Sequence, residues 1–188
     1  MKPAAMSRKV LGVPVLLGAI YACTGLSCAS KPDAGRTTEI TLPNYPIYQR
    51  HVDSWLQKRC GTLDCHGQPG RAYRLYGFSG FRLYNVDAGL LTGQQATSPA
   101  ETRANFDAFV SLDPEEFSRV LEADVTEMNR LLVIRKALNL ERHKGGAVMS
   151  EDDKSYRCLR AWLRADPKAE TTLPAEDIGF CTEANNQP

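Results

Sequence analysis

The chain has 188 residues, of which 43% are hydrophobic and 24% are charged, and its 23 basic and 22 acidic side chains give a net charge of +1. This apolar content excludes disorder over the whole length and fits one globular domain with a short appendage. The basic residues are scattered among acidic ones rather than gathered to follow a phosphate backbone, so we expect no nucleic-acid partner.

The first 22 residues have the pattern of an export signal. Lys2, Arg8 and Lys9 make the start of the chain positive, and an apolar run follows from residue 10 to residue 22. That run is shorter than the roughly 20 residues that a helix needs to span a bilayer, and it is typical of a cleaved signal. We therefore predict a signal peptide over residues 1–22.

The residues around Cys23 predict how the mature chain is held at a membrane. Ile20-Tyr21-Ala22-Cys23 resembles a bacterial lipobox, whose cysteine is lipidated after cleavage. A diacylated Cys23 would anchor the protein in the cell envelope. Thr24, at the position where Asp would indicate the inner membrane, favours the outer membrane. Gly25-Leu26-Ser27-Cys28 is a second lipobox candidate with a poorer first position. Plain export, with Cys23 or Cys28 inside the removed piece, is the alternative.

Three regions follow the signal. Residues 23–44 are polar, contain Pro and Gly and have no apolar period, which predicts a tether. Residues 45–165 form the predicted domain, and residues 166–188 form a C-terminal tail. The domain has no sustained strand pattern, so we predict a mainly α fold whose helices are joined by long irregular segments.

The first predicted helix runs from Tyr45 to about Arg59 and stops at Gly61. Its apolar side chains recur at steps of three and four residues, so they share one helical face. They are Tyr48, Val52, Trp55 and Leu56. Residues 68–100 are rich in Gly, Tyr and Arg, which predicts loops with at most short extended pieces.

Two further helices have clear starts. Ser98-Pro99 begins one, and Asp113-Pro114 begins the next with Asp113 as its capping residue. The first of these turns three side chains inward: Phe106, Phe109 and Val110. The second keeps helical apolar spacing as far as Leu132, with a break expected near Asp124.

The last predicted helix starts at Ser150-Glu151-Asp152-Asp153 and precedes the tail. Its inward positions are Tyr156, Leu159, Trp162 and Leu163. It contains Cys158, which can pair with Cys181 in the tail and close a loop of about 24 residues, a bond worth about 3 kcal/mol. The competing arrangement pairs one of these cysteines with Cys60 or Cys65.

Cys60, Cys65 and His66 form the motif Cys-x4-Cys-His in a loop after the first helix. Covalent haem attachment needs these residue types, because two thiols add to two vinyl groups while the next residue supplies an imidazole to the iron. The usual motif has two residues between the cysteines. Here four residues, with Gly61 at the turn, would span the same porphyrin edge.

Two other interpretations of this loop stay open. Cys60 and Cys65 can form a disulfide, which export from the cytoplasm allows, with His66 as an ordinary polar residue. A zinc site would use the same three side chains and a distant ligand, although an adjacent Cys and His make poor simultaneous ligands of a tetrahedral ion.

Segments further along the chain resemble a known family. Together with the haem motif, their order is similar to that in cytochrome c-like domains of large exported bacterial proteins. The segments are Phe81-Arg82-Leu83, Leu131-Leu132, His143-Lys144-Gly145-Gly146, Tyr156 and Trp162. The resemblance covers residues 45–165, apart from a long middle segment at about 84–127.

The resemblance implies one haem c between the first and last helices, with thioethers from Cys60 and Cys65 and with His66 as the proximal iron ligand. It leaves His143 and Met149 open as the sixth ligand. We favour His143, because the two glycines that follow it would let the backbone approach a flat macrocycle closely. A second imidazole would also give a lower reduction potential than a thioether.

Three arginines follow the motif: Arg71, Arg74 and Arg82. They can pair with haem propionates, since Arg suits bidentate contacts with carboxylates. The simpler expectation is that they are solvated loop charges.

The implied function is that of a membrane-tethered one-electron carrier rather than an enzyme with its own substrate. Its redox partner protein is not identified by the sequence, which also has no hydrolase motif or phosphate loop. The alternative is a non-haem structural or binding lipoprotein with disulfides Cys60–Cys65 and Cys158–Cys181.

Overall fold

The computed structural model describes residues 39–78, 80–84, 95–168 and 172–187. The predicted signal peptide, the lipidation site Cys23 and residues 23–38 of the predicted tether lie outside the described residues. Within the described part the fold is mainly α, as predicted, and it has one isolated bridge, between Tyr76 and Phe81, in place of strands. No helix in this part is both long and apolar enough to cross a bilayer.

The first predicted helix forms in three parts. A short helix α1 (Tyr45–Ile47) leads into a π-helical turn (Tyr48–Val52) and then into α2 (Asp53–Cys60). The side chain of Asn44 begins the series by accepting a hydrogen bond from the Ile47 N–H. All four side chains predicted to face inward are buried: Tyr48, Val52, Trp55 and Leu56.

Helix α3 (Pro99–Val110) begins with a capping box, in which the side chains of Ser98 and Glu101 each accept a hydrogen bond from the backbone N–H of the other. The predicted inward face is confirmed, because all three of its side chains are buried: Phe106, Phe109 and Val110. The two phenylalanine rings pack against Tyr48 and Trp162 and form the aromatic centre of the core.

Helix α4 (Pro114–Glu122) starts where the sequence predicts. It ends because Asp124 and Val125 adopt left-handed backbone conformations, with φ of 55° and 61°. The predicted break near Asp124 is therefore confirmed. A 3₁₀ turn (Met128–Arg130) and a short helix α5 (Leu132–Ala137) follow it.

The predicted capping role of Asp113 is wrong for its own helix. Its side chain makes no hydrogen bond to the first turn of α4. Instead, Asp113 Oδ2 accepts the Leu132 N–H at 2.8 Å, at the first residue of α5. Burial raises the pKa of Asp113. The carboxyl thus joins two helices that are adjacent only in the folded chain.

Helix α6 (Lys154–Arg164) has the predicted buried side, but it is not the last helix. Residues of the predicted tail form α7 (Ala175–Asn186), which packs against α6. The predicted disulfide between Cys158 and Cys181 is confirmed and connects the two helices. The sequence did not predict α7, because a helix that buries only Cys181 and Ala184 has a weak apolar period.

The end of the predicted tether packs against the domain. The Thr41 N–H donates to Ser118 Oγ at 2.8 Å. Asn44 is buried, and its carbonyl accepts a hydrogen bond from Trp162 Nε1 at 2.7 Å. Its side-chain amide donates to Asp166 O at 2.9 Å. The last residues of segment 23–44 therefore belong to the folded domain.

Candidate cofactor site

The loop that begins at Cys60 folds back on itself directly after α2. The His66 N–H donates to Cys60 O at 2.8 Å. The N–H groups of Cys65 and Gly67 both donate to Thr62 O, each at 2.9 Å. These bonds shape the four residues between the cysteines into tight turns, so that the end of the motif returns to its beginning. The four residues between the cysteines therefore form a compact turn rather than an extended segment.

Close backbone contacts hold this loop in place. A Cβ atom at Gly67 would lie 1.8 Å from Gly61 O, and one at Gly80 would lie 2.0 Å from the same oxygen. Packed atoms do not approach so closely, so any side chain at Gly67 or Gly80 would push the segments apart. Glycine is required here because it has no side chain.

The loop forms part of the wall of a cavity of about 540 Å³, a volume within the range of small-molecule and cofactor sites. Helices α2, α5 and α6 contribute mostly apolar side chains to the wall, and the segment around His143 completes it. All five residues that the sequence analysis proposed for haem line this cavity: Cys60, Cys65, His66, His143 and Met149.

The imidazole rings of His66 and His143 lie nearly parallel, with 6° between their planes and 6.1 Å between their centres. His66 Nδ1 is 2.9 Å from Tyr73 O. His143 Nδ1 is 2.8 Å from Gly146 O. A neutral imidazole that donates from Nδ1 keeps its lone pair on Nε2, and metal-bound histidines are commonly oriented in this way. Neither Nε2 has a hydrogen-bond partner among the described residues, so each ring can offer that atom to a metal.

The pKa of His66 is lowered. Burial is the main cause, the hydrogen bond to Tyr73 O opposes it, and the neighbouring His143 and Arg71 lower the pKa further. The ring is therefore neutral around pH 7, which is the protonation state that a metal ligand needs.

Two glycines shape the turn that carries His143. The Gly146 N–H donates to His143 O at 3.0 Å, and Gly146 has a φ of +69°, which favours glycine. Gly145 lies against the imidazole, since a Cβ atom there would be 3.1 Å from His143 Cε1. The backbone thus packs directly on the ring and limits its orientation.

Cys60 and Cys65 are half-buried and are present as free thiols. The disulfide between them, which the sequence left open, is not formed in the structure. Burial raises the pKa of the Cys60 thiol to about 12. Cys60 therefore keeps its proton at neutral pH.

The three arginines after the motif have different surroundings. Arg71 lines the cavity and donates to backbone carbonyls of the motif loop. Arg82 forms a buried bidentate ion pair with Glu101, with N–O distances of 2.8 Å. Arg74 lies over the Tyr76 ring, 5.8 Å from its centre. The expectation that Arg82 is a propionate partner or a solvated charge is therefore wrong, because its guanidinium is committed to Glu101.

Sequence reasoning missed two polar groups at the cavity. Trp55 and Tyr73 line it and are 2% and 7% exposed. Trp55 Nε1 and the Tyr73 hydroxyl have no hydrogen-bond partner among the described residues. Trp55 belongs to an apolar helical stripe and Tyr73 to an irregular segment, so neither position had a signal that distinguished it from a core residue.

No protein-family model, curated protein or solved structure matches this chain. Among the residues that the structure describes, no three His, Cys, Asp or Glu side chains come together as a metal-binding group. The chemistry of the site is thus that of two imidazoles and two thiols at a largely apolar cavity, with cationic side chains in its wall.

Proposed function

We propose that this chain is a single-haem c-type cytochrome, tethered to a membrane through a lipid on Cys23, that carries one electron at a time in the cell envelope. The observation that carries the proposal is the pair of nearly parallel imidazoles of His66 and His143, at the same cavity as both motif cysteines. The proposed cofactor is haem c, and the proposed partners are the membrane and a redox protein.

The distance between the rings supports a shared iron. An imidazole nitrogen binds a metal at about 2.0 Å, so two imidazoles that hold one metal must lie near each other at the same cavity. The centres of the His66 and His143 rings are 6.1 Å apart. Each Nδ1 is held by a backbone carbonyl, and neither Nε2 has a hydrogen-bond partner among the described residues.

The two thiols support covalent attachment. When a thiol adds to a vinyl group, a C–S bond forms, the thiol hydrogen moves to the other vinyl carbon, and the double bond becomes single. The addition therefore consumes no oxidant or reductant. Cys60 keeps the hydrogen that this addition needs, because burial raises its pKa to about 12. Cys65 lies in the same folded loop and lines the same cavity.

His143 is the proposed sixth ligand, and Met149 is the alternative. Both line the cavity, but His143 also has a ring parallel to His66 and an Nδ1 held by a carbonyl. Met149 is 8% exposed and packs with the hydrophobic core, which is the more common use of methionine. Two imidazoles would give a lower reduction potential than one imidazole and a thioether.

Bound haem would supply the one-electron chemistry, and the residues of this chain would set its conditions. The carbonyls of Tyr73 and Gly146 orient the two imidazoles. Apolar side chains of α2, α5 and α6 line much of the cavity and would keep water from a group bound against them. Arg71 provides a cation in the wall, where it can pair with a carboxylate.

Covalent haem is tested by expression in a host that has a cytochrome c maturation system. We expect a red protein that keeps its colour in denaturing electrophoresis and has the pyridine haemochrome band of a thioether-linked haem. The double variant Cys60→Ala/Cys65→Ala should lose that colour, whereas the matched control Cys158→Ala/Cys181→Ala should keep it. A colourless wild-type protein with Cys60 joined to Cys65 would contradict the proposal and support a non-haem structural or binding lipoprotein.

The sixth ligand is tested in the same host with two single variants. His143→Ala should change the Soret and near-infrared bands, because it removes an imidazole from the iron. Met149→Leu should leave both bands as they are in the wild-type protein. The opposite pattern would assign the sixth position to Met149.

A further inference from the structure

Two loops that contribute to the cavity wall each expose a leucine. Leu63 lies between the motif cysteines and is 61% exposed, and Leu140 lies shortly before His143 and is 64% exposed. Among the large apolar side chains in the described part of the chain, only Tyr84 is more exposed. Exposed apolar residues that border a functional cavity are typical of a surface that a partner covers.

The same region is positively charged. Five cationic side chains and one acidic one line the cavity: Arg59, Arg71, Lys136, Arg142, Lys144 and Asp64. Arg142 and Lys144 flank His143 and are exposed, and neither side chain has a hydrogen-bond or ion-pair partner among the described residues. Of the exposed arginines on other elements, Arg103 and Arg119 pair with carboxylates of their own helices, whereas Arg164 has no such partner among the described residues.

Depth separates these cations into two groups. Arg59 and Arg71 are half-buried, and their guanidinium groups already donate to polar atoms of the protein. From this depth, their positive charges would face an anionic group bound inside the cavity. Arg142 and Lys144 are exposed, so their charges are available to a group that arrives from outside.

We infer that Leu63, Leu140, Arg142 and Lys144, which we call the docking rim, bind an acidic partner protein. The partner would present carboxylates around an apolar patch, because the docking rim combines unpaired cations with exposed leucines. Its role in electron exchange rests on the proposed function, since docking here would bring a redox centre close to the cofactor. The docking is a property of the surface and can be tested by itself.

The first experiment measures binding with two synthetic peptides of equal length and charge. One has leucines among its glutamates, and the other has serines in their place. Calorimetric titration of the full-length protein should give about 5-fold tighter binding of the leucine peptide. Leu63→Ser/Leu140→Ser should remove that preference, and Arg142→Gln/Lys144→Gln should weaken the binding of both peptides.

The matched control is Arg164→Gln/Lys168→Gln, which removes two exposed cations that lie elsewhere in the fold. It should bind both peptides as the wild-type protein does. Equal binding of the two peptides by the wild-type protein would overturn the inference. So would a loss in the control as large as the loss in the Arg142→Gln/Lys144→Gln variant.

The second experiment follows electron transfer from the reduced holoprotein to hexacyanoferrate(III), which gains one electron and becomes hexacyanoferrate(II). At low ionic strength the Arg142→Gln/Lys144→Gln variant should react about 3- to 10-fold more slowly than the wild-type protein, and salt should shrink the difference. Equal rates would overturn the inference. A protein without haem would contradict the proposed function, while the peptide titration would still decide on the docking rim.

Discussion

Two regions of this molecule differ in whether their polar atoms have hydrogen-bond partners within the protein. The first, which we call the polar core, consists of Asp53 with its four donors and the ion pair of Arg82 and Glu101. The donors to Asp53 are Tyr48, Gln57, Thr102 and Asn105, at 2.6–3.1 Å. Both oxygens of each carboxylate in the polar core accept hydrogen bonds from the protein.

The second region is the cavity, where comparable atoms are left without partners. Among the described residues, the Nε2 atoms of His66 and His143 accept no hydrogen bond, and the Tyr73 hydroxyl and Trp55 Nε1 have none either. Buried polar groups that the protein satisfies itself stabilise the fold. Groups left unsatisfied at a cavity are available to a ligand, and in this respect the cavity differs from the polar core.

The largest effect is expected for Glu101→Gln in the polar core. The substitution leaves the buried guanidinium of Arg82 without its charge partner, which should lower the free energy of unfolding by about 3–5 kcal/mol. Chemical denaturation at pH 7 measures the loss. A change below about 1 kcal/mol would remove the distinction between the two regions.

The same carboxyl predicts a pH dependence. Burial acts to raise the pKa of Glu101, but hydrogen bonds from Arg82 and from the N–H groups of Ser98 and Leu83 outweigh it, so the pKa is lowered. Its contribution to stability is present above the unfolded pKa of about 4.3 and is lost as the pH falls through the lower folded pKa. Glu101→Gln has no carboxyl to protonate at this position. Its free energy of unfolding should therefore fall less than that of the wild-type protein when the pH is lowered from about 5 to about 3.

Asp53→Asn should cost about 2–4 kcal/mol, because an amide NH₂ group would replace one acceptor that now receives two donors. Unfolding by denaturant measures the change. Asp64→Asn is the matched control: Asp64 is exposed, and its replacement should stay within about 0.5 kcal/mol of wild type. Similar losses of unfolding free energy in the two variants would mean that burial does not explain the contribution of Asp53 to stability.

Gly67→Ala tests the backbone packing of the motif loop beside the cavity. Its Cβ would overlap Gly61 O, so the motif loop must shift, with an expected loss of about 1–3 kcal/mol and, under the proposed function, less covalent haem. Gly179→Ala, within α7 and with open space around it, should instead stabilise the protein by about 0.5–1 kcal/mol. Thermal unfolding and the pyridine haemochrome assay measure the two effects, and a wild-type haem yield in Gly67→Ala would contradict the account of the loop.

The smallest effect comes from the same chemical change made once in each region. Tyr48→Phe removes a hydrogen bond to Asp53 and should cost about 1–2 kcal/mol. Tyr73→Phe removes a hydroxyl that has no partner in the described chain, so the haem-free protein should stay within about 0.5 kcal/mol of wild type. Denaturation of both variants without haem measures the difference, and equal losses would contradict the assignment of the Tyr73 hydroxyl to the cavity.

Much of the helical framework could be predicted because its signals are local. Proline and a capping residue mark the start of α3, and apolar side chains at helical spacing mark α2, α3 and α6. Helix α7 was missed because its position depends on α6 and on the Cys158–Cys181 bond rather than on a strong apolar face. Asp113 was assigned to the wrong helix because its partner Leu132 is near only after folding.

The candidate site divides in the same way. The two thiols and His66 could be identified from the sequence, because they form a short motif of neighbouring residues. No local pattern gives the parallel rings of His66 and His143, the carbonyls that hold them, or the unpartnered groups on Trp55 and Tyr73. Those features depend on side chains from separate helices and loops.

Capping, periodicity and a cysteine motif act over a few neighbouring residues, so the amino-acid order was enough to place most helices and to pick out the two thiols and His66 as candidate site residues. Which of those side chains share a cavity, and which polar atoms there lack a hydrogen-bond partner, depends on the packed tertiary structure. The physical reason is that burial and hydrogen bonding between distant segments exist only once the helices have packed.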